Sequence, residues 1–142
     1  MTRILFACVG NSCRSQMAEA FCRTLGRNVE CESAGSKPAK AVQPDTIAVM
    51  REVGIDTSAA RPKGFKDLEH LRFDLLVTMG CEVDCPLVPG AKVIQWDIPD
   101  PYGKGVDEYR RTRDIVRAEV EKLLAELHLL APRHFDDHQP LA

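Results

Sequence analysis

The sequence predicts an α/β fold: a single doubly wound domain with a four-stranded parallel sheet flanked by helices. Three observations lead there. Short uninterrupted apolar runs alternate with amphipathic stretches of helical length. The first run passes at once into a small, polar loop and then a helix. The 142 residues, 44% apolar and 28% charged, suit one core rather than two.

Ile4-Leu5-Phe6-Ala7 is apolar without a break, as a strand buried on both sheet faces should be. After the loop from Cys8 to Ser15, Met17, Phe21 and Leu25 recur at helical spacing and Gly26 ends the helix. Val29 to Ala34 is the second strand, and Pro44 opens a helix with Ile47, Met50 and Val53 on its apolar side, stopped by Gly54. A short helix carries Phe65, Leu68 and Leu71. The third strand spans Phe73 to Thr78 and the fourth spans Val93 to Trp96. A long helix runs from about Asp107 to Leu130, with Tyr109, Val116, Val120, Leu123, Leu127 and Leu130 on one stripe. Residues 1–131 form the domain, and 132–142 read as a frayed tail.

Composition excludes several classes. With 19 basic against 21 acidic residues and no basic block, nucleic acid is not an expected partner. No apolar run approaches the ~20 residues of a membrane helix, and the apolar N-terminal stretch is too short for a signal peptide. A cytoplasmic monomer acting on a small substrate is therefore expected. The six cysteines (Cys8, Cys13, Cys22, Cys31, Cys81 and Cys85) are too sparse for a disulfide scaffold, which leaves packing, metal binding or catalysis.

In open α/β sheets ligands bind beyond the carboxyl ends of the strands, and the loop after the first strand is the usual anion cradle. Here that loop is Cys8-Val9-Gly10-Asn11-Ser12-Cys13-Arg14-Ser15. Five residues between Cys8 and Arg14 let backbone N–H groups converge above the sulfur where the helix begins. An oxyanion fits there, held by the amides from Gly10 to Ser15 and by the planar fork of Arg14. The same donors favour a thiolate on Cys8, making it a nucleophile. Gly10 and Asn11 tolerate the backbone angles of a tight loop, and Ser12 and Ser15 add hydroxyls, Ser15 being better placed to reach Cys8. The plainer alternative is a buried strand-end cysteine beside a surface arginine.

Asp97-Ile98-Pro99-Asp100-Pro101 follows the fourth strand, at the same sheet end. Displacing oxygen from an oxyanion needs a proton donor, and Asp97 and Asp100 are the candidates; an Asp-Pro turn without chemistry is the alternative. Cys81 and Cys85 leave the third strand at that end too. Four thiolates from Cys8, Cys13, Cys81 and Cys85 would make a closed zinc site, but the Cys81–Cys85 spacing and the neighbouring Arg14 cation argue against it. The pair could also be incidental.

The stretch Cys8-Val-Gly-Asn-Ser-Cys-Arg-Ser-Gln-Met-Ala-Glu19 resembles the active-site loop of the low-molecular-weight protein tyrosine phosphatases and of the thioredoxin-coupled arsenate reductases built on the same fold. Ser-Cys-Arg-Ser-Gln-Met-Ala-Glu is closer to the reductases. The resemblance continues through Ser33-Ala34-Gly35, Ile55-Asp56-Thr57-Ser58, Leu76-Val77-Thr78, Cys81 to Pro86 and Asp100-Pro101. It implies Asp100 as the general acid and a thiol relay in which Cys8 attacks arsenate, Cys81 attacks Cys8 to release arsenite, and Cys85 attacks Cys81. A dithiol protein such as thioredoxin would restore the thiols, and phosphate or sulfate would compete for the loop. Only Glu82, Val83 and Asp84 separate the paired cysteines, fewer than in the better-known reductases.

Cys13 is dispensable under this resemblance, and Cys22 and Cys31 are expected to pack as small hydrophobes. His70 is expected on a helix surface, with His134 and His138 in the tail. Some reductases of the family hold potassium through residues matching Asn11, Glu19 and Ser33. Here Lys63 stands where a further carboxylate is expected, and its ammonium can replace the ion, so neither metal nor cofactor is expected. The alternatives are a tyrosine phosphatase, with Tyr102 as an aromatic wall, or a thiol module that binds metal or senses oxidation. Weak phosphatase activity is expected even of a reductase.

Overall fold

The computed structural model describes residues 1–80 and 88–132. Cys81, Cys85 and most of the tail from Pro132 lie outside them. The sheet has four parallel strands in the order β2-β1-β3-β4: β1 (Thr2–Cys8), β2 (Val29–Gly35), β3 (Leu75–Thr78) and β4 (Lys92–Gln95). The connections are α1 (Arg14–Leu25) between β1 and β2, α2 (Pro44–Glu52) and a 3-10 turn (Phe65–Leu68) between β2 and β3, and α3 (Val106–Glu126) after β4.

Alternation along β1 sorts the core into two layers. Ile4, Phe6 and Cys8 face α1, α2 and α3, packing with Met17, Phe21, Met50, Val116, Val120 and Leu124. Leu5 and Ala7 face the other way, against Leu68, Phe73 and Leu76. β1 is the central strand in this sense: Ile4 pairs with Cys31 on one side and Leu75 on the other. Its apolar run is unbroken because both its faces are covered.

The third strand and the long helix have boundaries other than those the sequence predicts. The third strand begins at Leu75 rather than Phe73. Asp74 is instead a connector whose N–H donates to the Arg3 carbonyl and whose carboxylate accepts from the Arg3 N–H. The long helix stops at Glu126 rather than Leu130. His128 takes a left-handed backbone (φ 59°), the Leu129 N–H reaches the Leu124 carbonyl and the His128 N–H reaches that of Ala125. These bonds close the helix end as a Schellman turn does. The chain then turns back, and Leu130 pairs with Gly26 in an antiparallel bridge. Leu127 and Leu130 still pack against the core, but from beyond the helix.

The largest correction concerns Cys22 and Cys31. Both are buried, as packing residues would be, but they are joined by a disulfide. α1 lies on β2, which brings the two Cα atoms to 6.2 Å, within the range a disulfide spans. Nine positions separate them in sequence, and only the docking of helix on strand makes them neighbours.

Candidate active site

The parallel strands end together, and the loop after β1 occupies the space above their carboxyl ends. The carbonyls of Val9, Gly10 and Ser12 accept from the N–H groups of Lys37, Ala39 and Gln43, at 2.9, 2.9 and 3.1 Å. The Thr46 hydroxyl also donates to the Ser12 carbonyl at 2.9 Å. The segment after β2 thus engages the loop's carbonyls. Among the described residues, no acceptor is found for the N–H groups of Asn11 to Arg14. Buried amides without a partner are rare, and a ring of them beside an arginine can hold an anion.

Gly35 lets β2 press on this loop. A Cβ there would lie 2.5 Å from the Val9 carbonyl oxygen and 2.9 Å from the Asn11 nitrogen. Asn11 itself adopts φ 50°, a conformation an Asn accepts more readily than most residues.

Cys8 ends β1 with 2% of its surface exposed. Its Sγ is 2.8 Å from the Ser15 hydroxyl. Arg14, the first residue of α1, is 7% exposed and donates from Nη1 to the Ile98 carbonyl at 3.0 Å. Its Nη2 is 3.7 Å from Asp100 Oδ2, and its buried Nε has no partner among the described residues. Cys8, Arg14, Ser12, Cys13 and Asp100 line one cavity of about 250 Å³. Asp97 is exposed and is not among its lining residues, so of the two acid candidates only Asp100 lines the cavity. Asp100 is half-exposed, and its Oδ1 accepts from the Tyr102 N–H.

Val9, Ala39, Gln43 and Tyr102 also line the cavity. Ala39 and Gln43 carry no local sequence signal for this role, because only tertiary folding brings that segment across the loop. Tyr109 lies on the apolar stripe of α3, yet its hydroxyl is 3.5 Å from Cys13 Sγ. Burial pushes the Cys13 thiol above its ordinary pKa, and burial also raises the Tyr109 phenol. At neutral pH both are protonated, so Cys13 contributes no charge to the cavity.

Below the loop, Glu19 sits between two cations. Lys63 Nζ is 3.4 Å from Oε1 and Arg23 Nη2 is 3.0 Å from Oε2, while the Ser33 hydroxyl donates to Oε1. Lys63 thus occupies a place beside the Asn11, Glu19 and Ser33 group, and its own N–H donates to Asn11 Oδ1 at 2.8 Å. Among the described residues no cluster of metal-ligating side chains is found, and no helix is long and apolar enough to cross a membrane.

A family profile described as low molecular weight phosphotyrosine protein phosphatase matches residues 3–130. A glutaredoxin arsenate reductase of Synechocystis sp. is 34% identical over 130 residues, covering 89% of this chain and 99% of that protein. A solved arsenate reductase in its oxidised state superposes with a TM-score of 0.80 at 33% identity, covering 89% of this chain and 99% of the other. A thioredoxin-dependent arsenate reductase of Corynebacterium glutamicum gives 0.72 at 30% identity, over 90% of this chain and 62% of its own.

Proposed function

The chain belongs to the low molecular weight phosphotyrosine protein phosphatase family, and we propose that within it this protein is an arsenate reductase. The observation that carries the proposal is the adjacency of β1 and β3. Ala7 pairs with Thr78, so Cys8 and Met79-Gly80 leave the sheet side by side, and Gly80 is peptide-bonded to Cys81. A hydrolase needs the first of those strand ends. A two-electron reductase needs the second as well.

The reaction balances as one arsenate plus two thiols giving one arsenite, one disulfide and one water. Cys8 attacks arsenic as the thiolate, while the loop amides and Arg14 hold the remaining oxygens. Asp100 gives its proton to the departing oxygen, which leaves as water. Cys81 then attacks the Cys8 sulfur. The sulfur–arsenic bond breaks, its electron pair stays on arsenic, and arsenite departs from a Cys8–Cys81 disulfide. Cys85 attacks Cys81 and frees Cys8, and an external dithiol reduces the Cys81–Cys85 disulfide. The glutaredoxin-named and thioredoxin-dependent relatives support a small dithiol protein as reductant. A cytoplasmic site of action suits this chemistry, since accessible thiols are kept reduced there, while the Cys22–Cys31 disulfide is buried from reductant.

Cys85→Ser tests the relay. One turnover with arsenate should leave a Cys8–Cys81 disulfide that mass spectrometry detects, and hydrolysis of a small aryl phosphate should continue before arsenate is added. Arsenite release by wild-type protein with Cys81 and Cys85 both still reduced would refute it. The phosphatase alternative would then lead, since the same cavity also suits a phosphate monoester.

A further inference from the structure

Gly80 lies two residues beyond the end of β3, and the Arg14 guanidinium lies directly against it. A Cβ built on Gly80 would stand 2.7 Å from Arg14 Nη1, 3.3 Å from Nη2 and 3.4 Å from Cζ. The nearest of these is well inside the ~3.5 Å at which non-bonded atoms are comfortable. Gly80 also has φ +95°, where a side chain is strained whatever the space. The position thus requires glycine twice: once for the turn out of β3, and once because Arg14 occupies the space a side chain would take.

Arg14 cannot yield cheaply. It is buried, it springs from the first residue of α1, and Nη1 is committed to the Ile98 carbonyl on the connector after β4. A guanidinium pushed from the Gly80 side must give up that bond or move within the cavity, carrying its fork away from where oxyanion oxygens would sit. We propose that Gly80 is a positioning residue for the reaction: its bare backbone forms the wall that sets the plane of the Arg14 fork. The inference rests on the reading of the cavity as an oxyanion site. It also joins the two halves of the chemistry, because the residue that seats Arg14 is bonded to the second thiol of the proposed relay.

Gly80→Ala tests this, with inorganic phosphate as the binding probe and p-nitrophenyl phosphate as substrate. Phosphate binding should weaken about tenfold and kcat/KM should fall about 10²-fold, the usual effect of a ~1 Å misplacement. Gly90→Ala is the control for backbone strain alone, since Gly90 has φ +81° with nothing within 4 Å of the built Cβ. It should change both quantities less than twofold. In an Arg14→Lys background, where no planar fork remains to be set, Gly80→Ala should weaken phosphate binding less than twofold further.

Should Gly80→Ala fail to fold, Gly80→Asn, whose side chain better tolerates a positive φ, should melt higher in an Arg14→Ala background than with Arg14 present, and no such gain would overturn the inference. Unchanged phosphate binding in folded Gly80→Ala, or equal losses in the wild-type and Arg14→Lys backgrounds, would overturn it while leaving the oxyanion site intact. If wild-type protein binds no phosphate, the site reading falls and takes the inference with it.

Discussion

Ser15 Oγ lies 2.8 Å from Cys8 Sγ, and Asn11 Nδ2 donates to the same oxygen. Asn11 Oδ1 accepts from the Lys63 N–H at 2.8 Å and from Gln16 Nε2 at 3.1 Å. Two donors on that atom fix the amide orientation, leaving Nδ2 to donate to Ser15 Oγ at 2.8 Å. With its oxygen accepting from Asn11, the Ser15 hydroxyl keeps its hydrogen free to donate to a Cys8 thiolate. The bonds link Lys63 through Asn11 and Ser15 to Cys8, the atom that would carry negative charge.

Ser15→Ala should therefore lower kcat/KM for an aryl phosphate by roughly 10- to 100-fold, the worth of a ~1.5–3 kcal/mol hydrogen bond to a charged group. Asn11→Ala should act in the same direction. Because Asn11 works through Ser15, the double variant should be no slower than the worse single one. Additive losses in steady-state assays would show that the two act separately.

Asp100→Asn should slow arsenate reduction and aryl phosphate hydrolysis by about 10²–10⁴-fold, the range of a positioned general acid. Asp97→Asn should do far less, since Asp97 is outside the cavity. A reversed order would move the acid to Asp97.

Urea denaturation can weigh the Cys22–Cys31 disulfide. Closing so short a loop restricts the unfolded chain by about 2–3 kcal/mol on the chain-entropy account. Reduced protein should have a correspondingly lower midpoint, with aryl phosphate hydrolysis intact, and peptide mapping should show the pair resisting reductant until the protein unfolds. An identical midpoint before and after complete reduction would mean that the bond does not staple α1 to β2.

Glu52 joins α2 to α3 through Arg110 and Arg113, each 2.7 Å away. The Arg110 hydrogen bonds, assisted by Arg113, hold its pKa at about 2 against an ordinary 4.5. The folded value lies below the unfolded one, so the stabilisation is complete above about pH 4.5 and is lost as pH falls toward 2. Glu52→Gln should thus lower Tm modestly at pH 7, by an amount that shrinks as pH falls below 4.5. The site is on the surface, so added salt should shrink it too. A Tm difference constant across that range would sever the link to Glu52 ionisation.

Sequence patterning was most informative where one local rule decided the outcome. The unbroken Ile4-to-Ala7 run marked the central strand, and the Cys8-to-Ser15 loop marked the cavity, because chain order alone places a loop after a strand. The rest depended on distant partners. Leu127 and Leu130 keep helical spacing, yet the turn at His128 and the bridge to Gly26 end the helix early. Cys22 and Cys31 looked like small hydrophobes because burial and bonding leave the same mark in a sequence. Nothing in the letters around Gly80 shows its second constraint, which is visible only once Arg14 lies against it.

The cavity of about 250 Å³ over Cys8 also bears on the survival of the sulfur. Cys8 is shielded on its sheet side, so a peroxide molecule must approach through the mouth that an oxyanion would use. A phosphate ion resting there would be both a competitor and a cork. Cells rich in phosphate would slow the enzyme while sparing its nucleophile from sulfenic acid, and phosphate starvation would open the site to arsenate and to oxidative damage together.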